Sequence, residues 1–162
     1  FLNTVNSMNN SIPIPVIVMF VFAILIALML RYTVLGEYFF AIGGNEEAAR
    51  LSGVRVNYVK ISTYVISAIA CTIAGLIFIA RLGVADPQAG TGYELDAIAA
   101  AAVGGASLSG GRGSILGTII GALLLSAIRN GLTLLNVQAF YQMVAVGIII
   151  LIAITIDRLS QR

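Results

Sequence analysis

Residues 12–31, 59–80 and 140–156 are nearly unbroken apolar runs. Each is close to the ~20 residues that a helix needs to cross the hydrocarbon core of a bilayer. Charged residues are only 10% of the chain, against about 25% in a soluble domain. So few charges cannot cover a globular surface in water. A soluble enzyme, a disordered tail and a nucleic-acid binder are therefore excluded. A signal peptide would account for one run near the start, not for runs reaching the C-terminus. The expected fold class is all-α: a polytopic membrane helical bundle in one domain, residues 1–162, with the lipid bilayer as its solvent.

A fourth apolar region is interrupted. Residues 95–106 and 115–128 are each short for a span, and between them lies GGASLSGGRGS, Gly104 to Ser114. Irregular backbone at membrane depth is tolerated only where protein or a water-filled cavity covers it. The two pieces are expected to form a broken or re-entrant pair, with the glycine-rich segment facing a pathway. Gly104, Gly105, Ser107, Ser109, Gly110, Gly111 and Thr118 are the candidate pathway residues. Backbone and small hydroxyls suit a neutral solute that needs hydrogen bonds and no counter-ion.

Lys and Arg placement orients the chain. Arg31, Arg50, Arg55 and Lys60 make residues 32–58 a cytoplasmic loop, and Arg158 and Arg162 put the tail on the same side. Asp86, Glu94 and Asp96 suit the outside, as does the uncharged segment 1–11. Arg81 and Arg129 then fall outside against the rule. They are expected either to snorkel to lipid headgroups or to meet an acidic face on a docking protein.

Small residues recur every fourth position at Gly113, Gly117 and Gly121, at Ser67, Cys71 and Gly75, and at Ala97, Ala101 and Gly105. This spacing lets helix backbones approach closely. Either bundle packing or a dimer seam would use it.

The polar inventory offers no chemistry. His is absent and Cys71 is the single cysteine, so Cys-His and transition-metal sites are not expected. No paired carboxylate lies in an apolar run, the glycine-rich segment lacks a GxxxxGK[ST] pattern, and neither cofactor nor metal is expected. LSGG at Leu108–Gly111 mimics a transport-ATPase signature peptide, but no nucleotide-binding loop accompanies it. The chain is not read as an enzyme.

Two polar segments carry most of the remaining information. In the cytoplasmic loop, Asn45 is a candidate N-cap. Glu46 and Glu47 stand in the first turn and Arg50 near the end, each favoured there by the helix dipole. Ser52 and Gly53 close the segment, with Gly53 as the residue after the cap. The helix is too short to stand alone, and Ala48, Ala49 and Leu51 offer an apolar face to bury. Docking on a partner and lying at the membrane interface both remain open from these residues. In the outer segment Asp86–Asp96, Thr91 and Glu94 fit a capping box.

GGNEEAARLSGVRV, the run GTGYELDAIAAAAVGGASLSGGRGSILGTIIGALLL and NGLTLLNVQAFYQM together resemble the membrane permease subunit of bacterial sugar ABC importers, most closely its ribose-type branch. The resemblance covers nearly all of residues 31–158. Members of that family are about twice this length, and the chain opens on Phe1, so a C-terminal half is expected. The resemblance implies a homo- or heterodimeric permease, a cytoplasmic ABC ATPase docking at the coupling helix Asn45–Gly53, and a periplasmic or extracellular sugar-binding protein. It implies inward transport of a monosaccharide across the bacterial inner membrane, with ATP hydrolysed by the partner and no nucleic acid involved. Another small solute (branched-chain amino acid, nucleoside or signalling sugar) and an ion-coupled secondary transporter are the alternatives.

Overall fold

The computed structural model describes residues 14–86, 88 and 90–160, which form seven helices with no strand among the described residues. The expected start of the first span at Ile12 and Pro13, the segment 1–11, Pro87, Ala89 and Arg162 lie outside the described residues. The helices fall into two units, residues 1–89 and 90–162.

In the first unit, α1 spans Ile14–Tyr32, 19 residues or about 28 Å. Pro15 sits in its first turn, where a missing N–H breaks no helical bond. Nothing in α1 is buried; Ile17, Phe20, Val21, Ile24 and Leu25 all stand exposed. Such an all-round apolar surface suits burial in a membrane or against other helices and not water. Thr33 ends α1 and starts the next helix. Its N–H and hydroxyl donate to the Met29 carbonyl at 3.1 and 2.6 Å, and its Oγ1 accepts from Gly36 N–H at 3.3 Å. A Cβ at Gly36 would fall on the Leu30 carbonyl, so only glycine permits this reversal.

The expected loop 32–58 is mostly helical. Helix α2 covers Val34–Gly44, then α3 covers Glu46–Leu51 and α4 covers Val56–Leu82. α4 is 27 residues, about 40 Å, and extends beyond the expected 59–80 at both ends, starting at Val56 and ending at Leu82. Its hydroxyls bond back to helix carbonyls, Ser62 and Thr63 to Val59 and Thr72 to Ala68. That satisfaction lets polar side chains sit in an apolar span. Gly83, at φ 71°, closes α4 in the left-handed conformation.

In the second unit, α5 spans Tyr93–Val103, α6 Ile115–Leu134 and α7 Ala139–Ser160. Ala99, Ala100, Leu125 and Val146 form its core, with Ile149 and Ile150 packed against them. The second piece of the interrupted region, expected over 115–128, is a full 20-residue helix. Arg129 and Asn130 end the apolar run without ending the helix. The stop comes at Asn136, at φ 55°, whose N–H bonds Thr133 O while Val137 N–H bonds Leu132 O. That is the bond pair of a Schellman cap, with asparagine in the place usually taken by glycine.

Helices α1, α4 and α6 are long and apolar enough to cross a membrane. α5, at 11 residues or about 16 Å, is not. The chain is a multi-pass helical membrane protein.

The expected stripe Ala97, Ala101, Gly105 is one residue out of register. Gly105 has left the helix, at φ 85° as the residue after the Gly104 cap. The face that meets α6 is instead Ala100 and Gly104. A Cβ at Gly104 would fall on the Gly117 carbonyl, one at Gly117 on the Gly104 carbonyl, and one at Gly121 on the Ala100 carbonyl. Two steps of four residues, running in opposite directions, define an antiparallel crossing at backbone contact. Gly113 is not part of this face. It precedes the Ser114 cap, and a Cβ there would meet Ala106 Cβ at an ordinary 3.4 Å. In α4, Cys71 is exposed and Gly75 has nothing within 4 Å of a built Cβ.

Candidate functional site

Helix α3 is short but held at both ends. Asn45 Oδ1 accepts from Ala48 N–H at 3.0 Å. At the other end Gly53 N–H bonds Arg50 O and Val54 N–H bonds Ala49 O, with Gly53 at φ 87°. Ser52 adds a hydroxyl bond to Ala48 O at 2.9 Å. Only Ala49 is buried. Of the apolar face expected from Ala48, Ala49 and Leu51, the other two residues stay uncovered: Ala48 is exposed and Leu51 is 84% exposed. One turn and a half of helix presents a single small side chain inward, and Leu51 points the other way.

Lys60, in the first turns of α4, donates to Glu46 Oε2 at 2.7 Å. This bond, with the attraction of Lys60 and Arg50, holds the Glu46 carboxyl below the ordinary carboxylate range against a small opposing desolvation. The pair ties α3 to the base of α4. Glu47 and Arg50 are exposed at opposite ends of α3.

The glycine-rich segment is a compact turn with its own hydrogen bonds. Gly105 N–H bonds Ala102 O and Ala106 N–H bonds Ala101 O, which closes α5. Ser107 N–H bonds Arg112 O at 3.0 Å and Gly110 N–H bonds Ser107 O at 3.1 Å. Gly110 and Gly111 both adopt positive φ, 91° and 76°. Ser114 then caps α6, its Oγ accepting from Gly117 N–H at 3.0 Å. Of the expected pathway residues, Gly104 is committed to the α5–α6 crossing and Thr118 bonds its hydroxyl to Ser114 O. Ser109 is exposed and Gly105 lies at the turn's surface.

At the other end of the α5–α6 pair, Arg129 Nη2 donates to Asp96 Oδ1 at 2.6 Å. Arg129 is therefore not the unpartnered base that its charge alone suggests. Arg81 is exposed in the last turn of α4, where the helix dipole favours a cation. The expected Thr91–Glu94 capping box is also corrected. Gly92, at φ 90°, starts α5 one residue later, and Glu94 Oε2 reaches back to Gly92 N–H at 3.1 Å.

The Asp96–Arg129 pair separates two clefts. One, of about 380 Å³, is lined by Tyr93, Asp96, Ala97, Ala122, Ser126 and Arg129 among others. The second, of about 170 Å³, is walled by Leu95, Met143, Val146 and Ile150. Sequence reading missed this pair. The signal was there: two opposite charges in apolar helices, on either side of one glycine-rich turn.

A family model described as branched-chain amino acid transport system / permease component matches residues 1–154. The chain is 49% identical over 150 residues to ribose import permease protein RbsC of Escherichia coli K12, covering 93% of this chain and 47% of that protein. It is 49% identical over 147 residues to the RbsC of Bacillus subtilis 168, covering 91% and 46%. It is 46% identical over 153 residues to xylose transport system permease protein XylH of Haemophilus influenzae, covering 94% and 41%. The chain thus spans somewhat under half the length of these relatives. No solved structure matches it.

Proposed function

Because the chain belongs to the family of branched-chain amino acid transport system permease components, we propose that it forms part of the membrane pathway of a bacterial ABC importer for a pentose-type sugar. The observation that carries this reading is near-50% identity to ribose import permeases across nine-tenths of the chain. A separate cytoplasmic ATPase supplies the energy, a sugar-binding protein delivers the solute from outside, and two permease units line the path in the bacterial inner membrane.

In this reading α3 is the coupling helix. It is rigid for its length, being capped at both ends, and exposes Leu51 as an apolar knob for a groove on the ATPase. The Lys60–Glu46 pair makes α3 and the base of α4 move together, so closure of the ATPases tilts α4. Arg81 remains available to an acidic face on the binding protein, whereas Arg129 is engaged by Asp96. The glycine-rich turn 104–114 borders the path.

The test is uptake of labelled D-ribose, D-xylose and L-leucine into vesicles containing the full-length permease with its ATPase and binding protein. Uptake of a pentose that needs both ATP and the binding protein is expected. Uptake that survives ATP depletion under an intact ion gradient would overturn the ATPase-driven reading, and uptake of leucine alone would overturn the sugar. An ion-coupled carrier needs an ionisable group free to load and release its ion; Asp96 is held by Arg129.

The strut also predicts a pH dependence. The folded pKa of Glu46 is lowered, so its contribution is present above the unfolded value and is lost as pH falls through the folded one. This pair should therefore take nothing from sugar-stimulated ATP hydrolysis until the pH falls far enough for Glu46 to take up a proton. In Lys60→Met the carboxyl loses its hydrogen-bonded cation, and the acid limb of the profile should move to higher pH. Being exposed, the pair should also weaken with added salt. An unchanged acid limb in Lys60→Met would remove the strut from the mechanism.

A further inference from the structure

We propose that the larger cleft between α5 and α6 is a low-affinity subsite for a neutral polyhydroxylated solute, held by the Asp96 carboxylate and the Arg129 guanidinium. The inference rests on the permease reading above and adds where the solute is held.

The cleft of about 380 Å³ is at the small end of the range for small-molecule sites. Its lining is mixed in the way a sugar requires. Asp96 offers acceptors, Arg129 donors, and Ser126 a hydroxyl that does both. Buried Ala100 and Leu125 form its base, and the small side chains of exposed Ala97 and Ala122 leave it open. The Tyr93 ring borders the same space and can lie against the C–H face of a pyranose or furanose.

The ion pair bears on selectivity. Its two charges cancel, so the cleft has no net attraction for an ion, while both groups keep strong hydrogen-bonding capacity. Asp96 and Arg129 side chains remain 27% and 38% exposed, so they are reachable. Arg129 Nε is enclosed with no hydrogen-bond partner among the described residues. On the far side of the pair the smaller cleft is walled by Leu95, Met143, Val146 and Ile150, which offer no hydrogen bonds. Asp96 and Arg129 line both clefts, but only the larger one adds the Ser126 hydroxyl, so it is the better match to a polyhydroxylated solute. Vicinal hydroxyls of a sugar match a carboxylate and a guanidinium side by side; a monovalent cation or an apolar side chain does not.

The test uses the full-length importer, with ATPase and binding protein, in a Cys71→Ala background. Ala97→Cys places a thiol in the cleft lining, and its labelling by a small methanethiosulfonate reagent is timed with and without D-ribose, with D-ribose 5-phosphate as a charged comparison. D-ribose is expected to slow labelling at least threefold, and the phosphate to have no effect. Equal rates with and without D-ribose, or equal protection by the phosphate, would overturn the subsite. In a second variant, Ala97→Leu narrows the cleft while both residues of the ion pair are kept. Its D-ribose uptake should fall at least tenfold while permease and ATPase still co-purify. Unchanged uptake in Ala97→Leu, or failure of that variant to co-purify, overturns the subsite, since the cleft would then be a packing feature. Uptake by the unaltered complex separates the two readings: if it imports no pentose, the permease reading fails first.

Discussion

Gly121→Val should abolish the folded state of the second unit, and Gly117→Val should come close to doing so. A Cβ at Gly121 lands on the Ala100 carbonyl and close to Gly104 N, both backbone atoms that no rotamer change can move. A Cβ at Gly117 lands on the Gly104 carbonyl. Overpacking a tight contact typically costs about 1–3 kcal/mol where side chains can yield. Here the helices must separate, which also opens the Ala99, Ala100, Leu125, Val146 core. A loss of about 3 kcal/mol or more is expected, a large fraction of the stability of a typical domain. Gly131→Ala is the matched control in the same helix, with nothing within 4 Å of the added carbon. Thermal unfolding in detergent, followed by circular dichroism and monodisperse yield, measures both. If Gly121→Val melts within a few degrees of Gly131→Ala, the backbone crossing of α5 and α6 is wrong.

The second large effect is expected at Leu51. Its side chain is 84% exposed on a helix fixed by caps and a Schellman turn. An apolar anchor in the centre of an interface commonly costs 2 kcal/mol or more when removed, and aspartate adds the desolvation of a charge. Leu51→Asp should weaken the permease–ATPase complex at least thirtyfold and abolish sugar-stimulated hydrolysis. It should leave unfolding of the permease nearly unchanged, because Leu51 is 84% exposed among the described residues. Ala49→Asp is the contrast. Ala49 is buried against the unit, so that variant should destabilise the permease itself. A permease that binds its ATPase equally well with aspartate at 51 rules out α3 as the docking helix.

These two cases show what the sequence makes legible. Helices announce themselves through composition, so the long apolar spans and the capped segment at Asn45–Gly53 are readable directly. Asn45 and Gly53 are legible because an N-cap and a left-handed closing residue are local requirements. Helix α2 is less so: VLGEYFFAIGG is apolar but too short to be read as a span, and its start depends on Gly36 packing against Leu30. The end of α6 was misplaced because Arg129 reads as the edge of an apolar run, when its charge is answered by Asp96, 33 residues earlier. The register of the α5 stripe missed by one for a similar reason. Whether Gly105 continues a helix or closes it is decided by the bonds of Ala106 to Ala101, which spacing alone does not encode.

The turn between α5 and α6 has one more consequence. Its bonds run from Gly105 to Ala102, Ala106 to Ala101, Ser107 to Arg112 and Gly110 to Ser107, and Ser114 answers Gly117. The N–H groups of Leu108, Ser109, Gly111, Arg112 and Gly113 have no such bond among the described residues, so a break built this way leaves several amides for water or a neighbouring chain to answer. Against lipid those amides would be costly, so whatever covers them must also keep the tethered water from joining into a file that carries protons across the membrane.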